Sequence, residues 1–417
     1  MTVPRQGGPN SVLVNRPNSR YQLATPALVL DLDALEHNIR AMAGLCAQRN
    51  IALRPHAKTH KSVRVARMQI DAGAVGVCTA TIREAEVMVS AGIPGVHLTT
   101  PVHGALRLET LVSLIARSRG LTAVVDDLEN LRQLEDCVRR AGTKLPVLVD
   151  LDLGAMFRTG VASSGDAMAL AIALARSDVL EYAGIQYYSG IIQHVARAEE
   201  RARHYGLELE RLATLIDQLN RAGLPPKTVT GGGTGTLDLD ARSGLFTENQ
   251  AGSYVVMDVE YCEVELLASQ RCPFEPALFV QSTVVSNNAR GLVTIDAGTK
   301  ALATDGPPPR PATGAPDGAS YHSFGDEFGM IIFKGLGERL RQGGRDGATD
   351  DPEADSYRRF HALFDTAPGD AKSLPLGAKV ELLVPHCDPT VNLHDYYHCV
   401  RGDTLVEIWP VDARGSL

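Results

Sequence analysis

The sequence has no Cys-x-x-Cys pair, no excess of basic residues and no apolar run long enough to cross a bilayer, and each absence removes a class of protein. Its seven cysteines stand at 46, 78, 137, 262, 272, 387 and 399. That odd, scattered set gives neither a disulfide framework nor a cysteine zinc cluster. Most read as small buried hydrophobes, and only Cys387 has a notable neighbourhood. A formal net charge of −8 offers no stripe for a nucleic-acid backbone. No stretch approaches the roughly 20 apolar residues of a membrane-spanning helix. The first residues, MTVPRQGGPNSVLVNRPNSR, lack the apolar segment of a secretory signal. A cytoplasmic protein with no nucleic-acid or membrane partner is expected.

What remains is an ordinary globular composition, 44% hydrophobic and 22% charged, over 417 residues, enough for a barrel-sized domain and a smaller one. From about residue 25, short β-branched runs alternate with amphipathic stretches, as parallel strands joined by crossover helices do. The strands are expected at Ala27–Leu32, Ala52–Lys58, Val75–Ala80, Gly95–Thr100, Leu121–Asp126, Leu145–Gly154, Tyr182–Gly190, Thr228–Thr236 and Gly252–Asp258. A first helix is expected to start with Asp33 as its cap and Glu36 three residues on, and others lie near 103–118, 128–141, 164–176 and 196–221. This is an α/β chain whose best fit is a (β/α)8 TIM-like barrel over residues 25–265.

The texture then changes. Ala277–Ser286, Gly291–Gly298, Gly329–Phe333, Lys379–Pro385 and Thr404–Val411 look like strands without intervening helices, so residues 266–417, with 1–24, are expected to form a mainly antiparallel β domain. Within it Thr304–Gly318, rich in Pro, Gly and Ala, and Gly335–Asp355, rich in Gly and charge, read as surface insertions.

In a barrel the reactive groups follow the apolar runs, and four segments stand out. Arg54-Pro-His-Ala-Lys58-Thr-His-Lys61 ends a strand; a lysine there can form a Schiff base if its surroundings lower its pKa, which neighbouring cationic groups would help, though a solvated basic turn reads the same way. In Asp150-Leu-Asp-Leu-Gly-Ala-Met-Phe-Arg158-Thr-Gly160 an arginine sits between glycines, suited to a ligand or to an ion pair with a nearby carboxylate. Gly231-Gly-Gly-Thr-Gly-Thr236 offers backbone amides and hydroxyls, either to a single phosphate or within a tight turn. It is neither a Walker loop nor a dinucleotide fingerprint. Finally, in Pro385-His386-Cys387-Asp388-Pro389-Thr390, residues two apart on an extended segment face one side, so His386 and Asp388 either converge on one cation or form a hydrogen-bonded pair. Imidazole with carboxylate suits Mn, Zn, Co or Fe.

These motifs, in this order, together with Ala251-Gly-Ser-Tyr254, resemble the fold-type III pyridoxal-phosphate family, alanine racemase-like in its N-terminal barrel, that contains D-threonine aldolase, 3-hydroxy-D-aspartate aldolase and the eukaryotic-type D-serine dehydratase. The resemblance runs from Thr25-Pro26 to Ala413-Arg414-Gly415. It implies that Lys58 forms the Schiff base with pyridoxal 5'-phosphate and that Arg158 faces the pyridine nitrogen. It also implies that Gln186 and Tyr188 lie near the ring and that Gly233, Thr234, Gly235 and Tyr254 hold the phosphate. A divalent metal, with Mn, Zn, Co and Mg as candidates, is implied on His386 and Asp388, and a homodimer completes each site with the partner's β domain. His56 or a water on the metal is expected to act as the base.

The family's dehydratases carry Cys at the second metal position and its aldolases Asp; Asp388 stands there in this sequence. The expected reaction is therefore retro-aldol cleavage of a D-β-hydroxy-amino acid to glycine and an aldehyde. Dehydration of D-serine or 3-hydroxy-D-aspartate and a non-catalytic cofactor-binding role are the alternatives. Three positions depart from the pattern: Phe328 replaces a His in Asp-Glu-His-Gly, Ser189 stands where aldolases often carry His, and the strand before Arg158 is one residue longer.

Overall fold

Nine short segments between residues 27 and 249, most of them apolar, become strands: β1 (Ala27–Asp31), β2 (Ala52–Leu53), β3 (Val77–Thr79), β4 (Val96–Leu98), β5 (Ala123–Val125), β6 (Leu145–Leu151), β7 (Leu180–Tyr187), β8 (Thr228–Gly231) and β9 (Glu248–Asn249). The structure is a computed structural model and describes residues 8–154, 157–267, 272–289, 291–337 and 374–415. Strands β2-β9-β8-β7-β6-β5 pair in that order, and β3 pairs with β4. All these pairs are parallel. Single parallel bridges, His56–Cys78 and His97–Thr122, join the two pieces. The ring of eight is closed, and its open edges are thereby removed.

The crossover helices start where the sequence supplies caps. Thr81 and Glu84 form a reciprocal capping box ahead of Ile82–Ser90. The Asp127 side chain accepts from the amides of Glu129 and Asn130 at the start of Leu128–Arg140, and Ser163 accepts from Asp166 N–H before Ser164–Arg176. On Leu128–Arg140 the buried positions Leu131, Leu134 and Val138 follow the helical period, so one stripe packs inward. Each such fully buried Leu or Val contributes roughly 1.5–3 kcal/mol. The first helix, Leu32–Arg49, starts one residue before its expected cap, because Asp31 Oδ1, not Asp33, accepts the first amide, that of Asp33, at 3.1 Å.

The other unit, Met1–Asp33 with Asp258–Glu260 and Pro276–Pro410, is built on β10 (Leu278–Ser286), β11 (Leu292–Ile295), β12 (Arg310–Thr313), β13 (Ser320–Ser323), β14 (Gly329–Ile332), β15 (Lys379–Leu383), β16 (Tyr396–Arg401) and β17 (Thr404–Pro410). They form one nine-stranded sheet with β1. Every pair is antiparallel except β1 with β16. The long strand β10 serves two neighbourhoods: up to Thr283 it pairs with β15, and beyond that it shifts register to meet β11.

Three expectations change. Ala27–Asp31 pairs with β10 and β16, not with a barrel strand; its side chains are buried on both faces, which is what made it read as a barrel strand. Gly252–Asp258 is not a strand, since a 3-10 turn occupies Ser253–Val255, and the last barrel strand is the polar pair Glu248–Asn249. Thr304–Gly318 contains β12, paired to β15. Of the second expected insertion, 335–355, residues from 338 onward lie outside the described residues.

Candidate active site

Lys58 sits on a 3-10 turn, Ala57–Thr59, just past β2. His56 caps that turn: its Nδ1 accepts from Lys58 N–H at 3.4 Å, while Nε2 lies 3.3 Å from Thr99 Oγ1, whose own hydroxyl donates to Thr79 O. Both ring nitrogens therefore have protein partners, and His56 holds the lysine's backbone. The rest of the basic run is neutralised. Arg54 makes two bonds to Glu248, at 2.7 and 2.9 Å, and buried Lys61 meets Glu84 at 2.6 Å. Two of the basic neighbours of Lys58, Arg54 and Lys61, are thus ion-paired, and the basic turn is largely buried rather than solvated.

Lys58 lines a cavity of about 190 Å³ together with His56, Asp150, Arg158, Gln186 and Tyr188 on one set of strand ends and Gly232, Gly233 and Thr234 on another. The guanidinium of Arg158 lies 5.8 Å above the centroid of the Tyr188 ring, within cation–π range. Gln186 is saturated. Its Nε2 donates to Thr99 O at 2.9 Å and Asp150 Oδ1 at 2.7 Å, and its Oε1 accepts from His97 at 2.8 Å and Gln250 at 3.2 Å. Burial holds the His97 pKa down to about 4, with Arg54 adding to the effect; the ring is neutral and hands one nitrogen to Thr122 Oγ1. Burial also lifts Asp150 to about 7, against the lowering effect of its bonds from Gln186 and Thr159.

The glycine run is a cradle that side chains would fill. A Cβ on Gly233 would meet Gln193 Oε1 at 2.5 Å, and one on Gly252 would meet Thr59 Oγ1 at 2.5 Å. Gly232, at φ +63°, backs onto the buried carboxylate of Asp240, which accepts from Tyr205, Thr236 and Asn249. A Schiff-base lysine and a wall of bare backbone in one cavity fit pyridoxal phosphate. Three expected phosphate residues are placed differently: Gly233 lines the cavity, but its N–H is spent on Thr236 Oγ1 at 3.0 Å. Gly235 N–H is spent on Gln193 Oε1 at 3.0 Å. The Tyr254 hydroxyl accepts from Gln69 at 3.0 Å and faces another cavity, its backbone N–H bonding Thr234 Oγ1. What reaches the site from that segment is Gly252 and Ser253.

Sequence reading missed Asp150, Thr99 and Tyr261, all of which line the cavity, and the imidazole of His194, tilted against the Tyr261 ring at 4.9 Å. Asp150 was in view but overshadowed by Arg158; Tyr261 lies on a one-turn helix, Val259–Cys262, that carries no motif.

In the second unit His386 and Asp388 do not lie on an extended segment. Cys387–Asn392 is a short helix with His386 as its N-cap residue. His386 Nδ1 is 2.9 Å from Asp305 Oδ2, and buried Cys387 donates its N–H to Asp258 and points its Sγ at Asp388 Oδ1, 3.4 Å away. Among the described residues no group of three or more His, Cys, Asp and Glu side chains is set to hold a metal.

The family model for the alanine racemase N-terminal domain matches residues 30–259, and that for a putative serine dehydratase domain matches 277–400. The chain is 36% identical over 393 residues to a D-threonine aldolase of an Arthrobacter species, covering 94% of this chain and 93% of that protein. It is 33% identical to a 3-hydroxy-D-aspartate aldolase of Paracoccus denitrificans, covering 95% and 93%. The crystal structure of D-threonine aldolase from Filomicrobium marinum superposes with a TM-score of 0.82 at 37% identity, over 95% of this chain and 97% of that one. With a closed parallel barrel presenting Lys58 to a glycine cradle, and with this likeness along nearly its whole length, the chain belongs to the fold-type III pyridoxal-phosphate family of D-threonine aldolase.

Proposed function

We propose that the protein is a pyridoxal-phosphate-dependent carbon–carbon lyase that cleaves D-β-hydroxy-amino acids to glycine and an aldehyde. The observation that carries the reading is the shared cavity of Lys58, Arg158 and the Gly232–Thr234 wall, supported by aldolase relatives that match over at least 93% of both chains. The cofactor supplies the electron sink for the pair released when Cα–Cβ breaks. Lys58 would hold its aldehyde carbon, and the Thr234 hydroxyl with the backbone of Thr234, Gly252 and Ser253 would hold its phosphate. Arg158, a permanent cation lining the same cavity, would keep the pyridine nitrogen unprotonated. His56 fixes the turn from which Lys58 projects.

His386 and Asp388 would hold a divalent metal, which supplies a Lewis acid for the substrate's β-hydroxyl. The donor chemistry fits. Asp305 occupies Nδ1 of His386 and leaves Nε2 as the lone pair, and one imidazole with one carboxylate leaves coordination positions open. A cytoplasmic homodimer belongs to the same reading; no helix among the described residues is long and apolar enough to cross a membrane. The deciding assay offers D-threonine, D-phenylserine, D-serine and 3-hydroxy-D-aspartate with Mn(II) or with EDTA to wild type and Lys58→Ala. Glycine and aldehyde, lost in Lys58→Ala and with EDTA, are expected; ammonia and a keto acid would replace the aldolase by a dehydratase.

A further inference from the structure

The loop that presents Arg158 is held almost entirely by acids. Asp152 Oδ2 accepts from Phe157 N–H at 2.8 Å, Asp150 Oδ2 from the Thr159 hydroxyl at 2.8 Å, and Asp126 Oδ2 from Gly160 N–H at 3.0 Å. Three carboxylates at the ends of β5 and β6 thus surround an arginine, yet among the described residues none of them pairs with its guanidinium, whose recorded neighbour is the Tyr188 ring. The ion pair that the sequence left open does not form. The acids are spent on the loop, and the arginine fork is left for a ligand.

Of the three, Asp150 has the widest reach. It is 3% exposed and lines the cavity. One oxygen fixes Gln186, which has no donor or acceptor left over, and the other takes the hydroxyl of the residue next to Arg158. Asp152 and Asp126 grip backbone amides and would do so with any sequence in the loop; the bond from Thr159 to Asp150 is the side-chain tie.

We propose that Asp150 is a positioning residue for Arg158, acting through the hydroxyl of Thr159. The carboxylate sets where the loop stands over the cavity, and with it where the guanidinium meets the cofactor ring. This rests on Lys58 and Arg158 serving one cofactor, as proposed above. Thr159 itself is exposed, so replacing it leaves the core intact. A misplacement of about 1 Å in a group that orients the reacting centre lowers turnover by as much as about 100-fold.

The test compares Thr159→Val, which keeps the shape and removes the donor, with Thr159→Ser, which keeps the donor. Both are prepared as holoenzyme and as apoprotein reconstituted with pyridoxal phosphate. Thr159→Val is expected to lower kcat and weaken cofactor affinity by about tenfold each with little change in KM, and Thr159→Ser to restore both. Asp150→Asn, which still accepts on one oxygen only, should fall between them. A Thr159→Val protein indistinguishable from wild type, or a Thr159→Ser protein as impaired as Thr159→Val, overturns the assignment. A wild-type protein that binds no cofactor would overturn the proposed function as well, so the two failures are told apart.

Discussion

Removing the carboxylate of Asp240 tests how the glycine cradle is supported. Asp240 has no solvent exposure. It accepts from Tyr205 OH at 2.8 Å, Thr236 Oγ1 at 2.7 Å and Asn249 Nδ2 at 2.8 Å, and Thr236 Oγ1 in turn accepts from Gly233 N–H at 3.0 Å. Burial lifts its pKa from 3.8 to about 7, in spite of these three bonds. Because the folded protein holds that proton more tightly than the unfolded chain does, the group's stabilising contribution is full below its unfolded pKa and is lost as pH rises through about 7. Between about pH 5.5 and about pH 8 the loss is ~2 kcal/mol for this residue. Asp240→Asn keeps one acceptor and does not titrate. It is expected to start less stable than wild type at the lower pH and to lose ~2 kcal/mol less on going to the higher one, in urea unfolding followed by circular dichroism. Equal pH slopes for the two proteins would refute the account.

Glu84→Gln removes the carboxylate charge that Lys61 meets in a site where both side chains are under a tenth exposed; a destabilisation of ~3–5 kcal/mol is expected in thermal or urea melts, far above that of a surface pair. Asp305→Ala frees His386 Nδ1 and should weaken Mn(II) binding about 10–100-fold, read from the electron paramagnetic resonance of free Mn(II). In Gly233→Ala the added methyl meets Gln193 Oε1, so cofactor affinity measured by absorbance should fall by ~1–3 kcal/mol.

Much of the barrel was legible because its strands are nearly pure apolar runs and its helices carry caps. Leu145–Leu151 and Ser164–Arg176 lie where the pattern puts them. The errors fall where pattern and partner part company. Ala27–Asp31 is buried on both faces, as a barrel strand is, so nothing local reveals that its neighbours are β10 and β16. Glu248–Asn249 is polar because Glu248 balances Arg54 and Asn249 bonds Asp240, and no apolar signal marks it.

Within the site, Lys58, Arg158 and the glycine run stood out by residue type and place, and one cavity brings them together. The dispositions of Gln186, Gly235 and Tyr254 were not, because each depends on a partner far along the chain: Asp150, Gln193 and Gln69. The same holds for His386, whose carboxylate partner lies 81 residues away in a stretch that reads as an insertion.

The barrel unit includes Val411–Leu417, reached only after the chain has run through the other unit. Asp412 Oδ2 accepts from Val63 N–H at 2.8 Å, and Ala413 N–H donates to Lys61 O at 3.0 Å, so the turn after Lys58 is clasped across 349 residues of sequence. A barrel excised as a continuous piece would lack that clasp and leave the first amide of Val63–Asp71 without its acceptor. Contacts of this separation carry a high loop-closure cost and form late in folding. The cofactor lysine's surroundings should accordingly be completed among the last steps, and recovery of cofactor binding during refolding should lag behind recovery of helix signal.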